Sequence, residues 1–326
     1  MKKRPASILS FFLTPLVVAA SLSGCTYIRL NCDCDCEDGD SNVNVVLEWK
    51  SDPDTPPEGM SALFYPEDGS PYWRFELPLK GGEVALPAGI YNVMSFNNDT
   101  STILFENQDD YGMSLITCRQ ARLSDSLSDE WNFRQPPRDA DEEIQPVISQ
   151  PDQVWAASKE TFVASESYQT LTLQPARMTA RYNVRVTEVT NAANVYRSGM
   201  AITGLSAGRY LSSLELIPFD ATVGGKIEPD SDSSFSGTLN AFGRIKDRGK
   251  CRLWLYFYLR DGKKMAYEFD VTDIVENAPD PYNVDINITG ISLPDIPVSA
   301  PDSGLDVGLD EWDTVEIELS TDSSEV

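Results

Sequence analysis

The 326-residue chain contains no histidine. Without imidazole there is no Ser-His-Asp triad, no Cys-His dyad and no histidine-ligated metal centre, so the commonest routes to hydrolysis and metal catalysis are closed. Positive charge is scarce as well: 26 Lys and Arg stand against 51 Asp and Glu, a formal net charge of −25. Such a chain repels phosphate, and the attraction that dominates nucleic-acid affinity would oppose binding, which argues against nucleic acid as a partner. Past the first two dozen residues no apolar run approaches the ~20 residues of a membrane-spanning helix. Convincing helical periodicity is also absent, since no window of a dozen residues after Val43 repeats its apolar positions every 3.6 residues. What the chain does have is core material. Hydrophobic residues make up 41% and aromatics 10%, too much for a disordered chain, and the length suits about two domains of roughly 150 residues each.

Lys2, Lys3 and Arg4 form a basic n-region, and Ile8 to Ala20 is an apolar stretch interrupted by Ser10, Thr14 and Pro15. It is too short to span a bilayer and reads as a signal peptide. Leu22-Ser23-Gly24-Cys25 follows and resembles the lipobox of bacterial lipoproteins. That resemblance implies a diacylglycerol thioether on Cys25 Sγ, cleavage before it, and outer-membrane lipid as a partner. At about 0.8 kcal/mol per buried methylene, two acyl chains suffice for stable anchoring. An ordinary signal peptide with an incidental cysteine is the plainer alternative, against which the order of basic, apolar and box elements speaks. Thr26 rather than Asp after Cys25 fits delivery to the outer membrane, and the acidic residues that mark surface export in Bacteroidales lipoproteins begin here only at Asp33.

Thiols and carboxylates alternate in the next stretch, where Cys32, Cys34 and Cys36 would share one face of an extended chain. A zinc site needs a fourth soft ligand and a different spacing. A calcium loop from Asp33 would need glycine at Asp38 and glutamate at Asn44. No metal or cofactor is therefore expected, and a solvated tether or disulfides remain the readings. Cys118 and Cys251 sit in apolar stretches, as small buried hydrophobes do.

From Val43 onward short β-branched and aromatic runs alternate with Pro, Gly, Asn and Asp, the pattern of an all-β protein. The first group of strands covers 42–49, 61–65, 72–77, 83–86, 90–96, 102–106 and 112–120. A polar stretch, 123–150, has little to bury and reads as a long loop. The second group begins near Tyr168 and covers 176–189, 200–203, 210–217, 235–242, 252–260, 264–271 and 283–288. Leu253, Leu255, Phe257 and Leu259 alternate with Trp254, Tyr256 and Tyr258, and Asp261-Gly262 then predicts a hairpin with a type I′ turn. Apolar residues on both faces place that strand inside a sandwich. Leu86-Pro-Ala-Gly-Ile-Tyr91 and Leu205-Ser-Ala-Gly-Arg-Tyr210 echo one another, as if both halves shared one topology. Gly204-Leu-Ser206-Ala-Gly208 has the form of a nucleophile elbow, but with no histidine base and no strand-to-helix context Ser206 reads as a turn residue.

Glu58-Gly-Met-Ser-Ala-Leu-Phe-Tyr-Pro-Glu-Asp-Gly69, Leu86-Pro-Ala-Gly-Ile-Tyr-Asn-Val, Phe96-Asn-Asn-Asp-Thr100 and Phe269-Asp-Val-Thr-Asp273 with Ala278-Pro-Asp-Pro281 resemble a Bacteroidales lipoprotein family of unknown function. More distantly, that family is similar to fimbrillin-associated minor subunits and anchors of fimbriae. The resemblance implies two tandem transthyretin-like, Greek-key β-sandwich domains after a lipoprotein signal peptide. The expected division is signal peptide 1–24, lipidated acidic tether 25–41, first sandwich 42–158, second sandwich 159–293, and a connector with a last strand, 294–326. It also implies a structural role, as a surface or outer-membrane anchor or minor subunit that binds fimbrial subunits by strand exchange rather than an enzyme. Lys50, after the first strand, is where a fimbrillin-like precursor would be cut. The alternative is a surface lipoprotein that binds glycan or a host protein through its loops, with Trp73, Trp131, Trp155 and Trp312 as stacking candidates. At the C-terminus Val315, Ile317 and Leu319 alternate with Thr314, Glu316 and Glu318. This strand either closes the second sandwich or is donated to a neighbouring subunit.

Overall fold

The computed structural model describes residues 42–50, 56–123, 145–296 and 313–317. Strands are numbered in chain order. In the first sandwich a three-stranded sheet, β10 (Gln169–Leu173), β1 (Val43–Leu47) and β4 (Gly81–Val84), lies over a five-stranded one. The latter runs β11 (Ala176–Arg177), β9 (Trp155–Ala164), β5 (Gly89–Phe96), β2 (Met60–Pro66) and β3 (Trp73–Leu77). In the second sandwich β16 (Glu228–Ser231), β17 (Ser234–Ala241), β12 (Ala180–Thr187) and β20 (Asn283–Thr289) form one sheet. Facing it are β21 (Asp313–Ile317), β19 (Lys264–Asp270), β18 (Arg252–Leu259), β13 (Val195–Ser206), β15 (Asp220–Lys226) and β8 (Val147–Ile148). Two helical elements are α1 (Thr272–Glu276) and a 3-10 turn at Ala192–Asn194, and Leu123 is helical as well.

Two-residue periodicity divides the five-stranded sheet between two cores. From β2, Ala62 and Phe64 point into the first sandwich, where they meet Val43, Val45 and Leu171 of the opposite sheet. Leu63 and Tyr65 point the other way, into a core that also holds Tyr182, Leu255 and Phe257 of the second sandwich. Six of the seven β2 residues are accordingly buried. The joint is reinforced by a third sheet, β14 (Gly208–Tyr210), β7 (Leu115–Cys118) and β6 (Ile103–Glu106), in which β7 from the first half pairs with β14 from the second. Gly208 permits that approach, because a Cβ there would stand 2.2 Å from the Ile116 carbonyl oxygen. Likewise β8 pairs in parallel with β15, so a piece of the long polar stretch completes the second sandwich.

The expected domain junction at 158/159 falls inside β9. Strands β9, β10 and β11 all pair within the first sandwich, so after the excursion of β8 the chain passes finally to the second between Arg177 and Ala180. The alternation in β9 is broken by Thr161 at φ 53°, a bulge whose N–H is taken up by Asn92 Oδ1 at 3.1 Å, which disguises a ten-residue strand. The hairpin of β18 and β19 is present, but its turn differs from type I′. The Gly262 N–H donates to Leu259 O and the Leu259 N–H to Lys263 O, with Gly262 alone at positive φ, 90°. That is a three-residue loop closed by a glycine bulge, which spares Asp261 a left-handed conformation. The echoed Leu-Pro/Ser-Ala-Gly segments occupy unlike places: Tyr91 lies in the central β5, Tyr210 in the short edge strand β14. Their likeness is one of local turn chemistry.

Candidate functional site

With no cofactor or catalytic constellation expected, the places to inspect are where the chain enters and leaves the fold. Entry is at Asn42, directly before β1. β1 is the middle strand of its sheet, parallel to β10 (Val43↔Gln169) and antiparallel to β4 (Val43↔Val84). Val43 and Val45 are fully buried and Leu47 nearly so, as three alternating aliphatic residues in an internal strand require. Beyond β1 the Trp49 indole donates to Leu79 O at 2.7 Å and meets Trp155 edge-on, ring centroids 5.5 Å apart. Lys50 follows, exposed.

Exit is through β21, which lies on the open edge of β19 in parallel register, Val315 opposite Tyr267 and Ile317 opposite Phe269. Val315 is half-buried against the large core, and Thr314 is exposed. No strand pairs with the far edge of β21 among the described residues. Five residues in a parallel pair at a sheet edge hold less firmly than an internal antiparallel strand. Leu319, Cys25, Cys32, Cys34 and Cys36 lie outside the described residues.

The two stacking candidates among the described residues, Trp73 and Trp155, do not form a platform. Trp155 is 6% exposed, its ring enclosed by the first core. Trp73 is half-buried at the sheet edge, and Trp131 and Trp312 lie outside the described residues. Trp155 also borders a cleft of about 370 Å³ with Pro56, Asn97, Asp99 and Asp152. Both carboxylates there already serve the loops around them. Asp152 accepts the N–H groups of Ser101 and Thr102, and Asp99 accepts the Glu58 N–H and the Asn97 amide. Burial pushes the Asp152 carboxyl up, and the Thr102 and Ser101 N–H groups outweigh it, so the net displacement is downward.

Ser206 is the buried last residue of β13, paired with Asp220 and not in a turn, and its Oγ lies 2.9 Å from both Gly208 O and Ile217 O, to which its one proton is directed. Cys118 and Cys251 are buried free thiols, each pushed up by burial to about 12. No group of three or more Cys, Asp or Glu able to hold a metal ion occurs among the described residues. No helix among them is long and apolar enough to cross a membrane. Sequence reasoning singled out β21 by its alternation, but it passed over Asn42, whose role depends on partners more than forty residues away and leaves no local signature.

Known proteins give this arrangement a context. A protein named "Putative fimbrium anchoring subunit Fim4B" from Bacteroides ovatus is 31% identical over 102 residues, a match that takes in 31% of this chain and 29% of that relative. The crystal structure of a "putative adhesin" from Bacteroides ovatus superposes with a TM-score of 0.59 at 20% identity, over 79% of this chain and 94% of that one. The structure of "putative polysaccharide binding proteins (DUF1812)" from Bacteroides thetaiotaomicron gives 0.53 at 12% identity, over 77% and 91%. At these identities the structural likeness is one of fold alone. The sequence itself matches the family described as "Domain of unknown function (DUF5119)" over residues 34–224, more than half its length, and the protein belongs to that family.

Proposed function

We propose that the protein is a fimbrial anchor or minor structural subunit, held in the outer membrane by lipid on Cys25, that joins its neighbours by β-strand exchange and not by turnover. The observation that carries this reading is the unequal seating of the two terminal strands. β1 is internal, bonded on both sides and filled with buried valines, so the first sandwich has no vacant strand position there. β21 is an edge strand in parallel pairing, slightly less stable per residue than an antiparallel pair and placed where strand addition takes place. A subunit that keeps its first strand and lends its last donates without accepting, as the terminal member of a chain of subunits must. The partial identity to a protein named as a fimbrium anchoring subunit supports the same reading.

Deleting residues 313–326 tests it. The truncated protein is expected to unfold cooperatively within a few degrees of the full chain and to lose capture of fimbrial subunits from membrane extracts. A truncated protein that still captures them, or that no longer unfolds cooperatively, overturns strand donation.

A further inference from the structure

Asn42 stands where the chain enters the fold and is 9% exposed. Its side-chain Nδ2 donates to Leu86 O at 2.8 Å and to Ser165 O at 2.7 Å, and its Oδ1 accepts the Leu86 N–H at 2.9 Å. Its backbone N–H donates to Val84 O at 3.2 Å, and its carbonyl accepts the Gln169 N–H at 2.9 Å. Every polar group of the residue is engaged, and the partners come from three segments: the end of β4 with its turn, the end of β9, and the start of β10. β1 then continues under a second hold. Gly81, at φ 93°, brings β4 so close that a Cβ there would lie 1.9 Å from the Val45 carbonyl oxygen. At the far end of β1 the Leu47 and Glu48 N–H groups donate to Lys80 O and Leu173 O.

These bonds are concentrated on the first described residue, directly before β1. Before β1 can slip, the three side-chain bonds and two backbone bonds of Asn42 must break together, because one residue carries them all. Breaking them strands the buried polar groups of Leu86, an expensive intermediate.

We propose that Asn42 is a mechanical latch, which holds β1 in place against tension entering through the N-terminal segment. The functional meaning of the latch rests on the reading above that the chain is anchored through Cys25.

The test is single-molecule pulling on the mature chain, 25–326, with one handle at residue 25 and the other at the C-terminus. A control geometry moves the first handle to Ser70, in an exposed turn, so that the load bypasses β1. Asn42→Ala is expected to speed release about 10- to 100-fold at matched force in the first geometry and to leave the second unchanged. Asn42→Ser, whose single hydroxyl can donate to only one of the two carbonyls, is expected to fall between; it replaces the alanine variant should that fail to fold. Equal weakening in both geometries, or weakening in neither, overturns the latch. Cys25→Ala followed by cell fractionation examines the anchoring separately: unchanged membrane retention would end the anchor reading and leave the force result standing.

Discussion

Removing the Arg244 guanidinium should be among the most damaging single changes in the second sandwich. Arg244 and Glu276 form an ion pair with side chains 2% and 9% exposed. The guanidinium donates from Nε to Glu276 Oε1 at 2.8 Å, from Nη1 to Gly204 O at 2.9 Å and from Nη2 to Gly249 O at 2.7 Å. One side chain thus ties α1, the Gly204 bulge of β13 and the 244–250 loop together. Gly204 is part of the same arrangement: at φ 71° it leaves room where a Cβ would meet Lys250 O at 2.5 Å. Arg244→Ala strands Glu276 in a buried site where, among the described residues, the Asp247 N–H at 3.2 Å is the remaining donor. Breaking a buried pair from one side costs about 3–5 kcal/mol. At about 2–4 °C per kcal/mol for a protein of this size, the melting point should drop by roughly 6–20 °C. Replacing both partners, Arg244→Met with Glu276→Leu, removes the uncompensated charge and should recover most of the loss, because apolar residues of similar volume often match a buried ion pair. Urea unfolding of the wild type, the single variant and the double variant measures both quantities. A single variant within 1 kcal/mol of wild type, or a double variant worse than the single, would refute this account of the pair.

The remaining predictions concern titration and thiol chemistry. The carboxyls of Asp152 and Asp270 are both held below their ordinary value; burial opposes this in each, and hydrogen bonds from Thr102 and Ser101 or from Thr272 prevail. A depressed carboxylate stabilises the fold fully above its unfolded value, about 4, and loses that contribution as the pH falls through the lower folded value. Acid unfolding below about pH 4 should therefore become shallower in Asp152→Asn and Asp270→Asn, and an unaltered acid limb in both would exclude the two carboxylates as its cause. Cys118 and Cys251, pushed by burial to about 12, should resist iodoacetamide at pH 8 in the native protein and react within minutes in urea, as mass spectrometry would record.

The all-β class and the β18–β19 hairpin were legible because alternation is a local signal and aromatic residues on both faces mark an interior strand. Most first-half strands were found within two or three residues for the same reason. Strand β9 was not, since a bulge at Thr161 and the exposed Lys159 and Glu160 break its pattern. Nor was β15, Asp-Ala-Thr-Val-Gly-Gly-Lys, whose paired glycines look like a loop. There Gly225 is needed because a Cβ would press on Gln150 Nε2 and Met200 at 3.2 and 3.3 Å. The pairing of β1 with β10 has no sequence mark whatever, because parallel partners are chosen by the whole fold and not by a turn. The alternation of β21 was visible, whereas the five bonds of Asn42 were not, for its partners, Val84, Leu86, Ser165 and Gln169, all lie more than forty residues down the chain.

The joint between the sandwiches has a consequence for the order in which this chain can fold. The first sandwich is incomplete until β10 arrives to pair with β1, Val43 with Gln169. One face of its larger sheet is only partly covered, by Phe105, Tyr111 and Ile116, until Tyr182, Leu255 and Phe257 have been made. In the second sandwich β12 waits in turn for β20, Arg181 with Asn283. Pairings so distant in sequence are slow to form, because loop closure must precede any gain in contacts. During synthesis the first sandwich can therefore close no earlier than Leu173, and the core it shares with the second sandwich waits for β18 and β20.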